Sequence, residues 1–370
     1  MNLSRLSLNL RFDKTSLLDP LLTFSRASGA TRINKTTGLI ELVAPDMPRL
    51  ERDGLLIEDA STNYLTAEAR FTSVGGSYEK GKPDPAGSMA AIRFDANNYI
   101  AVWDCDSLPA GPQSASIWMR AVEDTCNVRL AVACGDAIAA FEGVTLTTTW
   151  TRFSVTAPNA WVSNYSRLLI DSISGAFETY GPQLESSPFS TSYIPTTDTP
   201  ATRAEELCAI YNIAGQPWLN PSNYTIILDA FFQKPTDGVD STHLQILKEW
   251  GLWGGDGNPE TDNRFSGIGM RGTTYGIFLE GPVFNWANIP HTVATRRRIA
   301  IARNARAATT TIAADGQIIS TSASVPMGPR NYLSIGSAGG YGSQPNAHIR
   351  ALTILPHDVS DAVLVAMSEQ

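Results

Sequence analysis

GPQLESSPFSTSYIPTTDTPATRAE, residues 181–205, is the stretch that divides this 370-residue chain. Pro182, Pro188, Pro195 and Pro200 fall within it. Each lacks a backbone N–H and restricts the residue before it, so neither a helix nor a central strand is expected to run through. The stretch reads as an extended connector that closes one β-rich block and opens another.

Working outward, residues 64–203 alternate with a period of two. Val128, Leu130 and Val132 share one strand face, as do Ala115, Ile117 and Met119, and again Thr151, Phe153 and Val155. Turn-rich breaks such as 109–112 and 172–175 give the rhythm of an antiparallel sandwich or jelly roll. In residues 204–370, the nearly continuous apolar run 224–232 predicts a strand buried on both faces. Asp315-Gly316, between 308–314 and 317–322, is the strongest hairpin signal, because a type I′ turn needs positive φ at both central residues. The chain closes on a short helix with Asp358 or Ser360 at its N-cap. Residues 1–63 hold turn signals at Thr37-Gly38 and Asp53-Gly54 but few large apolar residues. They read as an arm that docks on the rest of the chain or on a neighbouring subunit, so deleting residues 1–62 is expected to leave a folded remainder. The fold class is therefore all-β: two tandem antiparallel β-sandwiches (64–203 and 204–370) behind a small N-terminal attachment arm (1–63).

Two sets of motifs resemble a known group. GPQLE, TSYIPT and TPATRAEE around the connector are joined by Phe24-Ser25-Arg26-Ala27-Ser28-Gly29-Ala30-Thr31, Pro48-Arg49, Gly54-Leu55-Leu56-Ile57-Glu58 and Ser61-Thr62-Asn63 near the start. Together they resemble bacteriophage virion proteins of tail fibres, baseplates and head spikes. The resemblance implies a carbohydrate-binding-module-like jelly roll over 64–203 and a concanavalin or laminin-G-like sandwich over 204–370. It also implies an N-terminal arm that meets other virion proteins, and a homo-oligomer, a trimer favoured.

Composition excludes several function classes. Hydrophobic residues make up 43% and charged residues 17%, the balance of a folded chain. A formal net charge of -8 disfavours nucleic acid, whose non-specific binding needs Lys and Arg to release counterions. The Arg296-Arg297-Arg298 run leads into Ile299 and Ile301 and reads as a solvated strand start. No apolar run approaches the ~20 residues of a membrane span, and the first residues have no signal-peptide core, so synthesis in a cytosol and no membrane insertion are expected. Cys105, Cys126, Cys134 and Cys208 have no CxxC or zinc spacing and read as free thiols; no cofactor is expected.

A sugar ring offers an apolar face and a hydroxyl rim, so its recognition calls for aromatic rings beside amides and carboxylates. The stretch that best fits holds Trp250, Trp253, Asp256, Asn258, Asp262 and Asn263, with Tyr275 and Trp286 as additional candidates. Against this stands the ordinary alternative, Trp250 and Trp253 filling a sandwich core. In the middle block, Asn97-Asn98-Tyr99, Trp103, Trp161 and Asn164-Tyr165 fit a similar surface or core packing, and Trp118 and Trp150 read as structural. Asp237, Asp240, Asp256, Asn258 and Asp262 lack the spacing of a defined calcium loop. Glycan cleavage needs two flanking carboxylates, about 5 Å apart for retention; Glu249, Glu260, Asp262 and Glu280 show no such pairing in sequence. His243, His291, His348 and His357 are scattered, with no GxSxG elbow. The expectation is a virion surface protein that binds host polysaccharide without cleaving it. The alternatives are a structural decoration or baseplate scaffold, and a polysaccharide depolymerase.

Overall fold

The computed structural model describes residues 6–66, 70–95, 100–106, 108–220, 222–232, 244–250, 265–271, 274–278, 285–290, 295–323, 332–336 and 344–370; between 244 and 290 the description is of the backbone. The chain is all-β and packs as two compact units. One unit is Met1–Ala27, Pro45–Asp59 and Glu205–Gln370; the other is Ser28–Ala44 and Ala60–Ala204.

The first unit holds two antiparallel sheets among the described residues. One runs Gln317–Ala323, Thr309–Ala314, Thr295–Asn304, Tyr224–Phe232, Ala347–Leu355, Gly54–Ile57, Arg49–Glu51, with Leu8–Arg11 also paired to Ala347–Leu355. The other runs Thr23–Ser25, Leu207–Tyr211, Tyr332–Ile335, Leu244–Trp250, Phe265–Arg271, Thr274–Phe278, Asn285–Pro290. The Tyr224–Phe232 strand is covered on both sides, as its apolar run predicts. Ile226, Leu228 and Ala230 belong to the main core, whereas Ile227 packs with Ala300, Ala302 and Ala313 against Leu364 of the helix Asp361–Ser368. Ser360 is the N-cap but makes no side-chain capping bond. Asp358 instead accepts 2.6 Å hydrogen bonds from the side-chain amides of Asn223 and Asn304. The hairpin forms with Asp315 at φ 48° and Gly316 at φ 80°. The three arginines at 296–298 are tied down rather than merely solvated: Arg296 is bidentate to Asp229 (2.8 and 2.6 Å), Arg297 bonds Asp315, and Arg298 donates to the Glu369 carbonyl.

The N-terminal segment is not a core-poor arm, which corrects the expectation from sequence. Leu8, Leu10, Phe12, Leu22, Leu50, Leu55 and Ile57 lie in the same core as Ile210, Trp218, Leu228, Ile301 and Leu333. Residues 28–44 and 60–63 belong to the other unit, so the chain passes between units at 27/28, 44/45, 59/60 and 204/205. The docking of Gly54–Ile57 shows why glycine follows Asp53. Gly54 has φ 126°, and a Cβ there would stand 2.1 Å from the Ile349 carbonyl oxygen.

The motif residues near the start and after the connector meet as a buried ion network in this unit. Arg49 reaches Glu206 through Nε (2.7 Å) and Nη2 (2.6 Å) and Glu58 through Nη2 (2.7 Å). Arg26 Nη1 reaches Glu206 (2.9 Å) and the Met47 carbonyl (3.1 Å), and the Glu58 backbone N–H donates to Glu206 (3.0 Å). The side chains of Arg26, Arg49 and Glu206 are fully excluded from solvent. Burial works against the Arg49 charge, but Glu206 and Glu58 outweigh it and raise its pKa.

In the second unit, two five-stranded sheets face each other. One runs Thr151–Ala160, Gly111–Ala121, Phe177–Glu185, Ala91–Phe94, Tyr78–Lys82; the other runs Ala137–Thr147, Thr125–Cys134, Tyr165–Ser174, Ile100–Asp106, Arg70–Val74. Ala115, Ile117, Met119, Val128, Leu130 and Val132 are buried between them, as the alternation predicts. Residues 181–185 complete the central strand Phe177–Glu185, paired with Gly111–Ala121, which corrects the expectation that no central strand enters this stretch; the rest of the connector is fastened through polar side chains. Asn63 donates to the Ile194 and Pro182 carbonyls and accepts from the Leu65 and Leu184 N–H groups, while Gln183 accepts from Ile194 N–H at 2.7 Å. Glu185 accepts from the hydroxyls of Ser61 and Thr191, both at 2.6 Å. Gly181 has φ 62° and lies against the Tyr193 ring, which a Cβ would approach to 3.0 Å.

Removing one member of the buried ion network leaves charge stranded in the interior. Arg49→Met is expected to destabilise the first unit by about 3–5 kcal/mol, read by urea unfolding. Deletion of residues 1–62, which takes core leucines and edge strands with it, is expected to yield a chain with no cooperative unfolding transition for that unit.

Candidate functional site

The expected glycan site falls mostly beyond what can be placed. Trp253, Asp256, Asn258, Asp262 and Asn263 lie outside the described residues, as do Asn97, Asn98 and Tyr99 and the candidate calcium ligands Asp237 and Asp240. Trp250 ends the strand Leu244–Trp250, opposite Phe265 and Tyr332. Tyr275 stands opposite Met270 and Ile289 towards the other end of that sheet, and Trp286 follows Asn285, which faces Ile277. The register thus keeps Tyr275 apart from Trp250. It places Trp250 instead in a cross-strand row with Tyr211, Tyr332 and Phe265.

In the middle unit, Trp103 is core, packed edge-on against Phe94. Trp118 and Trp150 are half-buried, and the Arg120 guanidinium sits 4.8 Å over the Trp150 ring. Trp161 is exposed, and Tyr165 belongs to a surface that sequence reasoning did not assemble.

That surface is the outward face of the sheet Ala137–Thr147, Thr125–Cys134, Tyr165–Ser174, Ile100–Asp106, Arg70–Val74. Register aligns Phe141, Ala131, Leu169 and Val102 across four adjacent strands. Ala131 is fully buried and Val102 nearly so, so the apolar surface open to solvent along this line is that of half-buried Leu169 and of Phe141, which stands 59% exposed at one end. A charged row flanks this apolar strip on each side. On one side, Arg129 pairs with Asp171 at 2.6 Å and its guanidinium lies 5.4 Å over the Phe141 ring. On the other, Arg167 pairs with Asp104 at 2.6 Å and Asp136 at 2.9 Å, and stacks 4.2 Å over the Tyr165 ring. The Tyr165 hydroxyl closes the second cluster, donating to Asp136 at 2.7 Å.

The two clusters repeat one device, a guanidinium held flat on an aromatic ring by a carboxylate. Cation–π contact and the ion pairs each restrict the arginine, so donors and acceptors are presented in fixed positions. The Tyr165 hydrogen bond, then Arg167, lowers the Asp136 pKa, and the Asp136 contact in turn raises that of Tyr165. For Arg167, burial works against the charge, but Asp104 and Asp136 outweigh it and raise the pKa. The surface escaped sequence reading because its residues come from four strands and a turn spread over residues 102–171, with Tyr165–Ser174 contributing four side chains and the other strands one or two each. Alternation at Arg129/Ala131 and Arg167/Leu169 was the available signal.

The motif residues form no open site. Arg26, Arg49, Glu58 and Glu206 are sealed in the first unit's core, and Asn63, Gln183 and Glu185 are consumed in fastening the connector. Among the described residues no three His, Cys, Asp or Glu side chains are grouped to hold a metal ion. All four cysteines are free and buried, and burial, with the neighbouring Asp106 and Asp104 charges, pushes the Cys105 thiol up to about 12. Among the described residues no helix is long and apolar enough to cross a membrane.

No family model matches the chain, and no curated protein matches it. Among solved structures, it is similar to the CBM40 of the Ruminococcus gnavus IT-sialidase bound to α2,3-sialyllactose, at 14% identity over 43% of this chain and 91% of that one, with a TM-score of 0.34. It is similar to the C-terminal CBM6 of LamC, a laminarinase from Zobellia galactanivorans, at 14% identity over 35% of this chain and all of that one, with a TM-score of 0.27. A Trypanosoma rangeli sialidase aligns at 9% identity over 44% of this chain and 25% of that one, with a TM-score of 0.33. At these scores the likenesses carry no argument about what the chain binds.

The Asp136 carboxyl is expected to titrate below its ordinary value of 3.8. Tyr165→Phe should move it back upward, as followed by side-chain carboxyl chemical shifts.

Proposed function

We propose that this chain is a bacteriophage virion surface protein, on tail, baseplate or head, that recognises a bacterial cell-surface glycan without cleaving it. The observation that carries the glycan part is the apolar strip Phe141, Ala131, Leu169, Val102 between the Arg129–Asp171 and Arg167–Asp104 rows. A pyranose has the same division, an apolar face edged by hydroxyls that donate and accept. The virion part rests on the motif resemblance, and assembly on the particle follows from it. Because residues 6–63 are built into the two units, contacts with other virion proteins would use the surfaces of folded units rather than a separable arm. A homotrimer would multiply weak single-site affinity through effective concentration.

Binding without cleavage fits the carboxylates on the strip. A glycosidase general acid needs a raised pKa. Asp104 and Asp171 are engaged by arginines, and Asp136 is shifted downward.

The test is an array of bacterial surface polysaccharides probed with the purified chain. Binding is expected, with no new reducing ends after incubation and with Phe141→Ala weakening it by about tenfold, as loss of a stacking ring worth roughly 1.5 kcal/mol implies. Absence of binding across the array rejects adhesion and favours the scaffold alternative; new reducing ends favour the depolymerase.

A further inference from the structure

We infer that the strip on the middle unit selects neutral glycans, lying as an internal segment across the strands, over acidic ones. The inference rests on the proposed glycan reading and names its ligand class.

The first argument is charge. The flanking rows bring two guanidiniums, Arg129 and Arg167, against three carboxylates, Asp171, Asp104 and Asp136. By register Asp106 occupies the same face. Each of the two flanking arginines is already engaged by a carboxylate at 2.6 Å. A uronate or sialate carboxylate would have to displace such a partner and settle beside it, and the like-charge contact is unfavourable. A neutral vicinal diol meets no such penalty. One hydroxyl accepts from the arginine while its neighbour donates to the aspartate, so both members of an existing pair are used without breaking it.

The second argument is shape. Four adjacent strands span roughly 14 Å across the sheet, longer than a single sugar ring. Ala131 is buried beneath the strip, and the exposed Phe141 marks one end of it rather than capping a pocket. Charged pairs line both long sides, so the strip suits a chain laid lengthwise with hydroxyls to left and right. No feature at its described ends is built to receive a terminal carboxylate.

The experiment is calorimetric titration of the full chain at low and high salt with neutral hexasaccharides (cello-, malto-, laminari- and manno-hexaose) and with acidic probes (hexagalacturonate and sialyllactose). At least one neutral hexasaccharide is expected to bind, with affinity changing less than about twofold between salts, because no net charge is neutralised. Phe141→Ala should weaken it at least fivefold, and Asp171→Asn should weaken it while improving hexagalacturonate binding. A fold-only role for Asp171 would not produce that opposite response. Binding of acidic probes alone, weakening with salt, overturns the neutral selectivity but leaves glycan recognition standing. Neutral binding unchanged by Phe141→Ala overturns the assignment to this strip. Failure of every probe removes both this inference and the glycan reading.

Discussion

The architecture of the first unit turns on four charges with no access to water. Arg26, Arg49, Glu58 and Glu206 come from chain segments as much as 180 residues apart, and each is useful only when the others are in place. Taking such groups out of water costs several kcal/mol per ion, and their mutual attraction offsets this only with good geometry. Arg49 has that geometry, with two bonds to Glu206 and one to Glu58. The network therefore contributes more to specificity than to raw stability. A misregistered pairing of the short N-terminal strands would strand a charge in the core.

This constraint explains the placement of the motifs. Residues 24–31 and 203–206 surround points where the chain passes from one unit to the other, 48–49 and 54–58 lie between two further such points, and Arg26, Arg49 and Glu58 of these motifs meet at Glu206. In the second unit the neighbouring motif residues do the same with neutral groups. Asn63 uses both its donor and its acceptor atoms on backbone that no sheet would satisfy, and Glu185 holds the Ser61 and Thr191 hydroxyls. The proline-rich connector has few ladder hydrogen bonds to give, so side chains supply them.

The chemistry of the strip follows from sheet geometry. Directly opposed residues on neighbouring strands share a face, so one apolar residue per strand makes a continuous band, and opposed charges on two adjacent strands make an ion pair on each side of it. Arg129 and Arg167 are each pinned by an aromatic ring and an aspartate, which limits the rotamer entropy lost when a ligand arrives.

By itself the sequence determined the all-β class, the alternating core positions of the middle unit, the doubly covered strand 224–232 and the Asp315-Gly316 hairpin. All of these depend on local pattern or turn stereochemistry, which neighbouring residues carry. It placed the start of the connector at 181, however, where the central strand Phe177–Glu185 in fact runs on to Glu185. The tertiary structure alone decided that residues 1–63 are split between two cores. Runs such as Leu8–Arg11 and Gly54–Ile57 are too short to show a core of their own, and their partner Ala347–Leu355 lies about three hundred residues away. It also decided that the motif arginines and glutamates face inward and that Phe141, Arg129, Tyr165 and Arg167 share one surface. Strand order and register, set by long-range pairing, fix which residues become neighbours, and no local window of sequence contains that information.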